Sequence, residues 1–236
     1  MRAIFDSIAR RYDITNDLLS LGYHRLWERK AIQALGIRRG DRLLDLGAGS
    51  GRMTLRALRA EPGLGRAVLV DISPRMLLLA HQALRSSSSI AACVVGDGEL
   101  LPVAGESFDI AILAYSLRNM PDRARAVGEL HRALVPGGRL VVLEFSRPSL
   151  PGLASLYSFY LRRVIPFVGG VVTGNRSAYD HLRDSIGAFP EPGELLEMLE
   201  RSGFRDAVRR PLTFGIASLY CATNSEQARS ALCSDG

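Results

Sequence analysis

The chain has 236 residues, 47% of them hydrophobic, with a formal net charge of +6 and a pI near 9.6. That supply of apolar side chains builds a core for one α/β domain with additions and argues against disorder. The three cysteines, Cys93, Cys221 and Cys233, show no Cys-x-x-Cys or histidine clustering, so neither a disulfide framework nor a zinc site is expected.

Residues 1–36 read as helical, with Phe5, Ile8, Ala9 and Tyr12 at helix spacing. A second helical piece over 24–35 carries Leu26, Trp27, Ala31 and Leu35 and is placed to lie over a cleft as a lid. The opening residues lack the apolar stretch of a signal peptide, and no run reaches 18 apolar residues, so a cytoplasmic location is expected. The basic charge comes almost wholly from scattered arginines and suits a solvated surface or an anionic membrane face. No basic block interleaved with aromatics appears, so no nucleic-acid partner is expected.

The first strand is expected over 41–46, and it runs into Asp45-Leu46-Gly47-Ala48-Gly49-Ser50-Gly51 and a helix over 50–60. Glycine lets backbone approach a ligand closely, and one reading of this stretch is only a tight strand–helix turn. The second strand, 66–71, ends on Asp71, with Ile72 next, a carboxylate suited to hold two ribose hydroxyls. Together they point to a nucleoside cofactor. A dinucleotide turn carries a third glycine where this chain has Arg52, and it seats a pyrophosphate that Asp45 would repel. S-adenosylmethionine (SAM) has no phosphate, and its amino group and sulfonium suit Asp45, so SAM is expected rather than NAD. Asp45 also admits a structural reading, bonding turn amides.

Further strands are expected over 90–95, 108–114 and 138–145, and helices over 74–85 and 121–134. Ser73-Pro74 is a helix start with serine as cap and proline in the first turn. Pro136-Gly137-Gly138 closes a helix and turns into a strand. Residues 147–175 are apolar and aromatic but broken by Arg162-Arg163, then comes a helix over 177–187. A helix over 192–202, strands over 204–210 and 214–221, and a tail from 223 complete the chain. Five α/β units and a terminal hairpin are the layout of a Rossmann-like class I SAM-dependent methyltransferase. Its seven-stranded sheet is mostly parallel with the last strand antiparallel, and the cofactor sits at the carboxyl ends of the strands. The whole chain, 1–236, is expected as one domain: a helical lid over 1–36, a cofactor core over 37–146, a helical insertion over 147–190, a terminal unit over 191–222 and the tail.

Three segments resemble one family, the ubiquinone/menaquinone biosynthesis C-methyltransferases. Tyr12-Asp13-Ile14-Thr15-Asn16, Ser20, His24 and Trp27 are similar to its signature Y-D-x-M-N…S…H-x-x-W, with Thr15 in place of methionine. Ser116-Leu117-Arg118-Asn119 resembles G-L-R-N, with Ser116 for glycine. Arg132-Ala133-Leu134-Val135-Pro136-Gly137-Gly138 through Glu144-Phe145-Ser146 resembles R-V-L-K-P-G-G…E-x-S. Ala178-Tyr179-Asp180-His181-Leu182-Arg183-Asp184-Ser185-Ile186 is similar to the later S-Y-x-Y-L-x-x-S-I.

The resemblance implies methyl transfer from SAM to a ring carbon of a reduced isoprenoid quinone, a lipophilic quinol. It places Asp45, Gly47, Gly49, Ser50, Asp71 and Ile72 at the cofactor. Asp97 and Gly98 would flank the adenine, and Ala114 would line the cleft near the sulfonium. Arg118 would stabilise a phenolate, and Asn119 would hold the second oxygen. Tyr12, Asp13 and His24 would complete a proton path. Other readings stand beside these: Arg118 as a surface arginine, Tyr12 and Asp13 as helix caps, His24 packed against Trp27. The aromatic 147–175 segment is either core or a greasy mouth for a prenyl tail, with peripheral membrane contact. No metal is expected, and a homodimer is. Demethylmenaquinol is the expected acceptor. The alternatives are the benzoquinol precursor of ubiquinone, another lipophilic acceptor, or a SAM- or lipid-binding module without turnover.

Overall fold

In a computed structural model of the chain, the described residues are 22–85, 90–146, 148, 152, 157 and 184–225. The central strand β1 (Arg42–Leu46) has Leu43, Leu44, Asp45 and Leu46 buried, which a strand covered on both faces requires. It pairs in parallel with β2 (Arg66–Asp71) on one side and β4 (Phe108–Ala114) on the other. β3 (Ala91–Val95) adds to β2 as the half-exposed edge, and β5 (Leu134–Phe145) adds to β4. β7 (Ala217–Asn224) pairs antiparallel with both β5 and β6 (Phe204–Leu212), giving the order β3-β2-β1-β4-β5-β7-β6. The expected seven-stranded sheet with its last strand antiparallel is therefore present.

Side chains alternate between the two faces, because a strand repeats every two residues. Leu43, Ile110, Ile112, Val141 and Leu143 meet α1 (Tyr23–Leu35), α2 (Arg52–Ala60) and α3 (Pro74–Ala83) on one face. Leu44, Leu46, Ala111, Leu113 and Val142 meet α4 (Arg123–Ala133) and α5 (Pro192–Arg201) on the other. The caps follow the sequence: the Ser73 hydroxyl accepts from the Met76 N–H at 3.2 Å, and Asp122 accepts from Arg125 at 3.0 Å. At the amino ends of the strands, Arg42 grips Asp109 through Nε at 2.9 Å and Nη2 at 3.1 Å.

Two strand starts differ from the sequence reading by three residues or more, and β6 and β7 run on to Leu212 and Asn224, past the expected ends at 210 and 221 and into the expected tail. β5 begins at Leu134, which pairs with Phe108 before residues 135–138 bulge out and pairing resumes at Ile110↔Arg139. Gly137, at φ +75°, makes that bulge possible. β7 begins at Ala217 rather than 214, because Thr213 and Phe214 adopt left-handed backbone in a short 3₁₀ turn. Phe214 points outward at 74% exposure.

Of the expected helix over 177–187, only 184–187 is described, and it is helical. The expectations for residues 1–21, the 86–89 loop, most of 147–183 and the tail after 225 lie outside the described residues. Among the described residues no helix is long and apolar enough to cross a membrane.

Candidate active site

The strand order reverses direction between β1 and β4, and such a sheet opens a crevice at the carboxyl ends of those strands. A cavity of about 380 Å³ lies there. Its floor is the glycine turn. Gly47 and Ala48 donate to the Val70 carbonyl at 2.7 and 3.2 Å, tying the turn to β2. Gly47, at φ +67°, lies so close to Ser116 that a Cβ there would collide with the serine side chain. The Ser116 hydroxyl donates to the Leu46 carbonyl at 3.0 Å, joining the ends of β1 and β4. A Cβ on Gly49, at φ +54°, would meet no described atom, so this glycine presents open backbone to the cavity.

Asp71 sits at the end of β2, where Oδ2 accepts from Gly49 N–H at 2.9 Å and Oδ1 from Ser73 N–H at 2.8 Å. A carboxylate oxygen can take two donors, so the pair can fix the turn and still receive hydroxyl groups. Ile72 is a large apolar side chain left 42% exposed on the cavity wall, facing a region also lined by Met120. Asp97 and Gly98 follow β3, and Gly98 runs against Met120 so closely that a Cβ would come within 2.8 Å of its Cε.

Asp45 is buried and accepts from the Thr54 hydroxyl at 2.7 Å and the Thr54 N–H at 3.1 Å. Burial pushes its carboxyl up to about 6, against those two bonds, and the nearby Asp71 charge adds to the rise. Its bonds thus go to the first turn of α2 rather than to the amides of the glycine turn. Ser50, Ala114 and Asn119 also line the cavity.

Arg118 lies elsewhere. Its guanidinium is 5% exposed and does not line the cavity; Nη1 meets Glu144 Oε2 at 2.9 Å and also bonds the Tyr115 carbonyl. Glu144, fully buried at the end of β5, draws the cation inward, and its other oxygen accepts the Arg118 N–H at 3.2 Å. This differs from the expected surface or phenolate-facing position. What Arg118 supports is Tyr115, a non-glycine residue at φ +59° whose ring packs on Phe145 at 4.9 Å and lines the cavity. Asn119 Nδ2 reaches the same Tyr115 carbonyl at 3.4 Å.

His24 is buried on α1 with Nε2 2.8 Å from Arg52 Nη2. It does not line the cavity, whereas Arg52 and Glu28 do. Trp27 is a buried anchor, donating to Thr213 Oγ1 at 2.7 Å and meeting Phe145 edge-on at 6.0 Å. Tyr12 and Asp13 lie outside the described residues. Sequence reasoning missed Glu28, Tyr115, Met120 and the part played by Arg52. The available signal was helix spacing: His24 and Glu28 share a face of α1, as Arg52 and Arg56 share a face of α2.

The model of the ubiE/COQ5 methyltransferase family matches residues 1–224. The chain belongs to this family. It is 43% identical to the ubiquinone/menaquinone biosynthesis C-methyltransferase UbiE of Syntrophotalea carbinolica, over 95% of this chain and 94% of that protein. With the UbiE of Haemophilus ducreyi it shares 38% over 92% of this chain and 85% of that one. Solved structures carry the same fold. A chain from the complex of the Haloferax volcanii Trm112 methyltransferase activator aligns with TM-score 0.69 at 21% identity, covering 94% of this chain and 98% of that one. A SAM-dependent methyltransferase of Thermotoga maritima aligns with TM-score 0.67 at 20% identity, covering 95% and 100%.

As a ubiE/COQ5 methyltransferase, the chain is a SAM-dependent C-methyltransferase of the quinone-biosynthesis class. The donor set fits that cofactor. Among the described residues the cavity is lined by five carboxylates and one cation, Arg52. Such a lining suits ribose hydroxyls, an ammonium and a sulfonium, and opposes a pyrophosphate. Among the described residues no group of three or more His, Cys, Asp or Glu side chains is placed to hold a metal.

Proposed function

We propose that this chain methylates a ring carbon of a reduced isoprenoid quinone precursor, with demethylmenaquinol as the acceptor. The names of its relatives support a quinone ring. The observation that carries the reading is the acid-rich cavity at the β1–β4 crevice, built on the glycine turn and Asp71.

When bound, the cofactor supplies an electrophilic methyl group. In this reading Asp71 holds the ribose hydroxyls. Asp97 accepts from the adenine amino group, and the close backbone of Gly98 with Ile72 and Met120 makes a flat apolar slot for the base. Gly47 and Gly49 permit close approach, and Ser50 contacts the cofactor from the turn. Asp45, ionised above about pH 6, favours the cationic end.

A ring carbon becomes nucleophilic when the neighbouring hydroxyl gives up its proton, and a phenol does so near ~10 by analogy with tyrosine. The protein must therefore hold the anion or take the proton during the step. Asn119, on the wall beside Ala114, donates to an acceptor oxygen. Arg118 acts at one remove: by gripping Glu144 and the Tyr115 carbonyl it positions the turn over 115–119. Tyr12 and Asp13, with His24 behind Arg52, form the proposed proton path. The aromatic 147–175 segment provides the route for the prenyl tail and a membrane contact.

The test is label transfer from methyl-labelled SAM to dithionite-reduced demethylmenaquinol, run beside the benzoquinol precursor of ubiquinone. Label in the naphthoquinol product supports the assignment. Label only in the benzoquinol moves the chain to the ubiquinone branch, and label in neither removes the quinone assignment.

A further inference from the structure

We propose that the chain docks on an anionic lipid surface through a rim at the carboxyl end of the sheet: Phe214, Tyr23 and Leu26 enter the bilayer, and Lys30 and Arg210 meet its headgroups. The use of such docking rests on the lipophilic acceptor proposed above. The rim begins at the turn between β6 and β7, beside the end of β5. There Ser146 donates its N–H to the Ile216 carbonyl at 2.9 Å and its hydroxyl to the Gly215 carbonyl at 2.7 Å. Thr213 accepts from Trp27 Nε1 at 2.7 Å, which fixes the turn against α1. Leu212 and Ala217, on either side of the turn, are buried in the same cluster as Trp27. Phe214 is excluded from that cluster. Thr213 and Phe214 take left-handed backbone at φ +46° and +56°, a conformation costly for residues with a Cβ, and the ring is held in solvent beside a core.

Helix geometry brings α1 to the same rim. The helix runs from His24, beside Arg52 at the carboxyl end of the sheet, to Gly36, whose carbonyl bonds Arg139 at the amino end. Successive residues turn by about 100°, so Tyr23, Leu26 and Lys30 lie on the Trp27 flank of α1, away from Glu28, which faces α2. Tyr23 and Leu26 are 50% and 44% exposed. Lys30 comes one turn after Leu26, and Arg210 two residues before Leu212 on the same face of β6; both are exposed. The two cations therefore sit behind the apolar tips. An interfacial surface needs that layering, with apolar groups in the acyl boundary and cations at headgroup depth.

Charge selects the occupant. The exposed charged side chains of α1, Arg25, Arg29 and Lys30, are all basic, and the acid of β6, Asp206, lies well behind the tip. A second copy joined through this rim about a twofold axis would bring the cations of both copies into one interface, whereas anionic headgroups attract them. The cofactor cavity opens at the same end of the sheet, and β7 stands two strands from β4, roughly 10 Å at the usual spacing. A prenylated ring can thus reach the cavity while its tail stays in lipid.

The test is flotation of the full chain with vesicles of phosphatidylcholine and phosphatidylglycerol, compared with phosphatidylcholine alone. The wild type is expected to bind the anionic vesicles. Leu26→Gln with Phe214→Asn, asparagine being tolerant of left-handed backbone, should weaken that binding about 10-fold or more. Lys30→Gln with Arg210→Gln should weaken it about 10-fold on the anionic vesicles. Thermal melts report the fold of each variant. Unchanged binding in either double variant overturns the proposal, as does a wild type that binds no vesicles. A wild type that sediments as a dimer, with the Leu26→Gln, Phe214→Asn variant a monomer, also overturns it, because the rim then joins two copies. Methyl transfer to a tail-less reduced naphthoquinol in solution separates docking from the acceptor reading. The variants should match the wild type there and lose turnover of the prenylated acceptor in vesicles; equal losses on both acceptors overturn the proposal. If no quinol is methylated while vesicle binding still needs the rim, the acceptor reading fails and the docking stands.

Discussion

Asp45 shows how one side chain carries opposing demands. Its carboxyl titrates near 3.8 in an ordinary setting and at about 6 in the fold, chiefly because it is buried. A group raised in the folded state contributes stability that is fully present below pH 3.8 and is lost as pH rises through about 6. The shift corresponds to about 3 kcal/mol. The unfolding free energy of Asp45→Asn, followed by urea from pH 4 to 7, should gain on the wild type by about that amount. The same ionisation is useful to a cationic ligand. SAM should bind more tightly as pH rises through 6 and release protons on binding near that pH, and Asp45→Asn should do neither. Calorimetry in two buffers of different ionisation enthalpy reads the proton release. A variant whose affinity follows pH as the wild type does would contradict this role for Asp45.

At the scale of elements, the ends of β1, β4 and β5 are joined by polar contacts that the sequence does not announce. Arg118 and Glu144 are 26 residues apart, yet their ion pair closes the turn after β4 onto β5. Breaking such a buried pair from one side costs about 3–5 kcal/mol, because a charge is left without its partner. Arg118→Ala should therefore lower the melting temperature markedly, and Arg118→Met with Glu144→Leu should recover most of that loss. If Arg118 instead touches the acceptor, Arg118→Ala will abolish turnover without loss of stability; thermal melts and turnover of the same variants separate these.

What was legible here followed from pattern. Val, Leu and Ile runs ending on Asp45 and Asp71 located the inner strands, and Ser73-Pro74 marked the start of α3. What was not legible depended on partners distant in sequence. Arginine at 118 gives a charge but not its direction, and only Glu144 supplies that. Phe214 reads as a strand residue from its type, while a left-handed turn places it in solvent.

The whole molecule is a sheet whose central crevice is readable from β/α alternation alone. The glycine turn, Asp71, Asp97, Gly98, Ala114 and Asn119 converge there because they follow strands or open helices at the same end of the sheet. Glu28 and Arg52 reach the same cavity through helix–helix contact, which no strand pattern reports. Among the described residues its lining is cation-poor and acid-rich, which ties the fold to a cationic nucleoside ligand and separates it from dinucleotide-binding proteins of similar topology.

The most direct measurement of whether this crevice drives the reaction is steady-state methyl transfer to reduced demethylmenaquinol, comparing wild type with Asp71→Asn. The substituted amide would keep an oxygen for one of its two backbone donors, Gly49 N–H or Ser73 N–H, but lose the charge that receives the ribose. KM for SAM should rise about 10-fold or more, the loss of charged hydrogen bonds, with kcat within about threefold. An unchanged KM for SAM in a variant that turns over the quinol would contradict it.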